Sequence, residues 1–180
     1  MVSNVTTYTP NIGDINSYRF LATANGAALS TGVMTSVSMK LKAGQVVRSI
    51  SIVTATTALG TPTHWWFALY SAAATPALVV QTADQTNTAL AANTFVTKNL
   101  AAPVTIAVAG TYWIGINFTA TTPPTLLSAP AQVAGLLNNP GVLTGEKGLA
   151  VTSGSGLVGV APPTIATPAA SLVVPLVFVS

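Results

Sequence analysis

The run His64-Trp65-Trp66-Phe67-Ala68-Leu69-Tyr70 sorts its side chains onto two faces with a period of two. Trp65, Phe67 and Leu69 fall on one face, and Trp66, Ala68 and Tyr70 on the other. Strands alternate in this way, whereas a helix returns to the same face only after about 3.6 residues. Residues 112–118 repeat the pattern, with Tyr112, Ile114, Ile116 and Phe118 opposite Trp113, Gly115 and Asn117. Aromatic and β-branched residues suit a pleated, half-buried surface. Both stretches therefore read as strands.

Their flanks follow the same rule. Val33, Val37, Met39 and Leu41 read inward, with Ser36, Ser38 and Lys40 outward, and Ala43-Gly44 supplies a turn. Residues 46–53 resume with Ile50 and Ile52 facing one way and Ser49 and Ser51 the other. Shorter strands are expected over 78–82, 94–100 and 104–108, the last stopping at Gly110. The chain closes with 171–179, where Pro175 marks an edge position or a bulge. About eight to ten short strands with Gly, Pro and Asn between them predict an all-β fold, an antiparallel β-sandwich of jelly-roll type. At most one short helix is expected, near 130–138, opened by Pro130 and closed by Asn138, Asn139 and Pro140. Residues 1–30 read as an N-terminal arm or edge strands, and 31–180 as a single sandwich domain. Thr121-Thr122-Pro123-Pro124 and Ala161-Pro162-Pro163 read as rigid bends in a Pro-, Gly- and Ser-rich stretch.

Charge is the strongest compositional signal. Of 180 residues, three are acids (Asp14, Asp84, Glu146) and six are bases. An ordinary soluble domain carries about a quarter charged residues. Charge keeps proteins apart in solution and supplies most acid, base and metal-ligand chemistry. A chain this neutral is poorly equipped for catalysis and for a solitary life in water. The mean hydropathy is +0.62. The longest apolar run, 172–179, is nevertheless far below the roughly 20 residues of a spanning helix and contains Pro175. No membrane association is expected. Arg19, Lys40, Lys42, Arg48, Lys98 and Lys147 form no dense basic run, so nucleic acid is not an expected partner. The first residues show neither a basic nor an apolar leader region, and cysteine is absent, which fits synthesis in the host cytoplasm.

The inventory for chemistry is thin. Asp14, Asp84 and Glu146 all look like turn or loop positions exposed to solvent. His64 is the lone histidine and reads as structural or surface; no Gly-x-Ser-x-Gly elbow marks a nucleophile. One histidine, no cysteine and dispersed acids give few metal ligands, and no phosphate-binding glycine loop is present. No catalytic residue, cofactor or metal is expected, and the chain does not read as an enzyme. The aromatics are the better candidates. Trp65 and Trp66 must face opposite ways, so Trp66, Tyr70 and Trp113 form either an exposed platform or a buried second layer. Exposed rings stack sugars and anchor protein interfaces.

The blocks Leu41-Lys42-Ala43-Gly44-Gln45, Thr61-Pro62-Thr63-His64-Trp65-Trp66-Phe67-Ala68-Leu69-Tyr70 and Ala109-Gly110-Thr111-Tyr112-Trp113-Ile114-Gly115-Ile116 resemble bacteriophage virion proteins. They are similar to the β-sandwich domains of head or tail fibres and capsid decoration proteins, especially those of phages infecting actinobacteria. The likeness covers roughly 33–118 and includes no catalytic motif. It implies a structural part of a virion that decorates or cements the capsid or forms part of the tail or fibre. Its expected partners are further copies of itself, with a trimer favoured, and other virion proteins such as the major capsid or tail proteins. A carbohydrate- or receptor-binding module that contacts a host-surface glycan through the aromatics is the alternative.

Overall fold

In the computed structural model, described residues are 22, 24–129 and 149–180. They form eleven strands: β1 (Ala24–Asn25), β2 (Met34–Leu41), β3 (Val46–Val53), β4 (Gly60–Tyr70), β5 (Leu78–Gln81), β6 (Phe95–Thr105), β7 (Gly110–Thr122), β8 (Leu127–Ser128), β9 (Ala150–Ser153), β10 (Ala169–Ala170) and β11 (Val177–Val179). Among the described residues there is no helix. The helix expected near 130–138 and most of the arm over 1–30 lie outside the described residues. The segments expected at 94–100 and 104–108 are one strand, β6, whose pairing with β3 shifts register between Val47 and Ser49.

The pairings are antiparallel and nested. β2 pairs with β7, β3 with β6 and β4 with β5, so the chain runs as a ribbon folded over on itself. That wrap is the jelly-roll pattern. It yields a six-stranded sheet in the order β10-β9-β2-β7-β4-β5 and a three-stranded sheet in the order β11-β3-β6. The bridge between Thr82 and Leu100 ties the two sheets at one edge. At the other edge, Thr54 pairs with Leu126 and Ser128 with Pro175. The turn expected at Ala43-Gly44 is there: Gln45 N–H donates to Lys42 O, and Gly44 has φ +79°. A type II turn needs that positive φ at its third residue.

The main core lies between the sheets. Val37, Met39, Leu41, Trp65, Phe67, Leu69, Ile114, Ile116 and Phe118 line one side of it. Ile50, Ile52, Val96, Val177 and Val179 line the other. Register explains the selection. Trp65 lies opposite Phe118, Phe67 opposite Ile116 and Leu69 opposite Ile114. Trp65, Phe67 and Phe118 form a ring cluster with centroids 5.7 to 6.5 Å apart, Phe67 and Phe118 meeting edge to face at 82°. Such pairs add roughly 0.5–1.5 kcal/mol beyond burial of their area.

The outward face of the six-stranded sheet is not solvated. Met34, Trp66, Ala68, Tyr70 and Trp113 make a second apolar cluster with Ala161 and Ile165. The covering chain is the Pro- and Gly-rich segment 154–165. Ser36 was expected outward and is fully buried; Ser38 is partly buried. The period-two reading of β2 is right about which face Ser36 occupies, and the covering segment changes what that face meets.

Candidate functional site

Trp65, Trp66, Tyr70 and Trp113 are all inside the fold, with relative exposures of 1, 0, 0 and 5%. Trp65 belongs to the main core, where its indole N–H donates to Thr88 O at 2.9 Å and the Lys98 ammonium sits 5.0 Å from its ring centre. The other three are covered by the chain itself. Trp66 Nε1 donates to Val158 O at 2.6 Å, and the Tyr70 hydroxyl donates to Pro162 O at 2.9 Å. An exposed ring platform at Trp66, Tyr70 and Trp113 is therefore corrected to a buried second layer. Burial pushes the Tyr70 hydroxyl pKa well above the ordinary phenol range.

Proline explains why this cover suits the task. A proline offers a carbonyl but no N–H, so Pro162 and Pro163 can accept bonds without leaving a buried donor to satisfy. Pro163 O takes Leu78 N–H at 2.8 Å, and Ile165 N–H donates to Pro76 O at 2.9 Å. Ala77 bridges Thr164. The segment thus caps the β5 edge as well as the sheet face, and covering an edge is a standard protection against strand addition. Gln81 clamps it twice, donating to Gly159 O and accepting from Ala161 N–H at 2.7 Å.

One titratable contact emerged that sequence reasoning had kept apart. His64 Nδ1 lies 2.7 Å from Asp84 Oδ2, and the same oxygen accepts the Thr86 hydroxyl at 2.6 Å. Residues after β5 continue alongside β4, with Thr82 N–H on Phe67 O, Gln85 N–H on Trp65 O and Asn87 N–H on Thr63 O. This ladder brings Asp84 beside His64. The side chains are 31 and 19% exposed, so Asp84 is not the solvated turn residue expected. Its other oxygen, Oδ1, is buried without a hydrogen-bond partner. Gly159 passes directly over the pair: a Cβ there would lie 2.9 Å from Asp84 Oδ2 and 3.3 Å from His64 Nδ1.

The pair can orient a loop and pin the covering segment. A histidine–carboxylate pair becomes catalytic when the other ring nitrogen reaches a nucleophile, and no hydrogen bond to His64 Nε2 is observed. Among the described residues, no three His, Cys, Asp or Glu side chains gather as a metal site. Asp14 and Glu146 lie outside the described residues. More polar atoms are stranded under the cover: Ser36 Oγ, Ser153 Oγ, Asn117 Oδ1 and Trp113 Nε1 are buried without hydrogen-bond partners. Register sets Asn117 opposite Trp66, Trp113 opposite Tyr70, and Ser153 opposite Met34.

The fold and these contacts define an all-β antiparallel sandwich of jelly-roll type with a self-covered outer face. Comparisons with protein-family models, curated proteins and solved structures find no match.

Proposed function

We propose that this chain is a structural component of a phage virion, one that decorates or cements the capsid or forms part of the tail or fibre. The observation that carries the reading is where the side chains are used. Both faces of the six-stranded sheet are filled by the chain's own aromatic and aliphatic groups, while only 5% of its residues are charged. The outward positions of β6 are Phe95, Thr97, Asn99 and Ala101, all exposed and uncharged. A neutral surface packs against neighbours without the desolvation cost of burying ions. Binding to an assembled lattice then stabilises that lattice by mass action.

A glycan platform has less support, because Trp66, Tyr70 and Trp113 become accessible only if 154–165 is displaced. The test is co-sedimentation of the purified chain with assembled phage shells or tails that lack it. Saturable binding at a fixed number of copies per particle, with a raised temperature of heat disruption, supports the reading. Particles that neither bind the chain nor gain heat resistance contradict it.

A further inference from the structure

We propose that the outward face of the three-stranded sheet β11-β3-β6 docks on the same face of a second copy of this chain. The inference rests on the assembly reading above and assigns it a surface. The six-stranded sheet has its outer face covered by 154–165, whereas Phe95 on the three-stranded sheet is 59% exposed. Register puts Val53 opposite Phe95, and Ser51 between Thr97 and Phe178. The Phe95 and Phe178 rings meet at 5.6 Å across the face. Ser51 and Thr97 hydroxyls bond each other at 2.8 Å, and Ser49 pairs with Ser180. The result is an aromatic pair bordered by hydroxyls.

Charge selects the occupant. Lys98 turns away from this face, onto the Trp65 ring and Gln85. Among the described residues of these strands, Arg48 alone remains as an exposed charge, and it stands at the bulge end of β3. A charged partner would give up its hydration here and find almost no counter-charge. A second copy brings the same neutral surface, and each hydroxyl both donates and accepts. A face that meets itself closes about a two-fold axis, so this contact ends at two copies. A trimer needs a different, head-to-tail surface.

Size sets the strength. Three strands about 4.8 Å apart, the longest about 27 Å over its paired length, offer a footprint of roughly 400 Å². A stable complex buries about 800 Å² per partner. The pair is therefore weak in solution and strengthens when copies are held close in an array.

Sedimentation equilibrium of the full chain between about 10 µM and about 1 mM tests this. The wild-type mass should rise from one chain toward two. Phe95→Glu and, independently, Thr97→Lys should each keep the mass at one chain, with circular dichroism confirming the fold. Val108→Glu, at an exposed loop beyond the far end of β6, should behave as wild type. A wild-type chain that stays at single mass throughout, or folded Phe95→Glu and Thr97→Lys chains that associate like wild type, overturns the inference. Shell binding measured separately on the same variants decides the virion reading, so the two can fail apart.

Discussion

Gly115 shows how closely the second layer is fitted. It lies between Trp113 and Asn117 on β7, directly across from Ala68. A Cβ on it would stand 2.6 Å from Met34 Sδ and 3.0 Å from Tyr70 Cε2. Both neighbours are fully buried, so neither can withdraw into solvent. Gly115→Ala should lower stability by about 1–3 kcal/mol, the usual cost of overpacking, read as a lower urea midpoint at unchanged m-value. A midpoint equal to wild type would mean the cover yields easily. Tyr70 gives a pH-dependent test. Burial raises its hydroxyl pKa, so the folded chain keeps a proton that the unfolded chain loses. That contribution is complete below about pH 10, the unfolded value, and is lost as pH rises beyond it. Urea midpoints taken from pH 8 upward should fall above about pH 10 in the wild type and fall less in Tyr70→Phe. At neutral pH the same variant should cost about 0.5–1.5 kcal/mol for its lost bond to Pro162 O.

At the scale of elements, the covering segment is the part that local pattern did not reveal. Strands β2, β3, β4 and β7 were legible because alternation is a property of neighbouring residues. The turn at Gly44 was legible for the same reason. The contacts of Trp66 with Val158 and of Tyr70 with Pro162 each join residues 92 positions apart. Nothing in a Pro- and Gly-rich stretch announces which face it will cover, and Ser36 therefore read as exposed. His64 and Asp84 were visible as residues but not as partners, because their meeting depends on how far chain beyond β5 follows β4. Gln81 is the clamp that tests this element. Gln81→Ala removes two bonds to the cover and should raise acrylamide quenching of tryptophan fluorescence and speed amide exchange at Ala161, while the far strands β3 and β6 keep their protection. Unchanged exchange at Ala161 would show that the prolines alone hold the segment. Asp84→Ala should act in the same direction, since it leaves His64 and Thr86 without their shared acceptor.

For the whole molecule, the balance is between a well-filled interior and an unusually neutral exterior. The interior needs no partner: three layers close on one another through residues of this chain. The exterior is the part that asks for company, because six bases and three acids spread over 180 residues give little mutual repulsion in solution. Neutral hydroxyl- and alanine-rich surfaces suit permanent contact, and the Phe95–Phe178 face is where such contact is placed. Raising the charge of other exposed sites should therefore improve solubility without loss of stability, whereas charge on the Phe95 face should also abolish self-association. The most direct measurement is a density map of an intact particle produced with this chain. The account predicts the sandwich at many symmetry-related positions, with its neutral faces covered by neighbouring subunits. A particle lacking the chain, or one holding it as an isolated appendage with those faces bare, would contradict it.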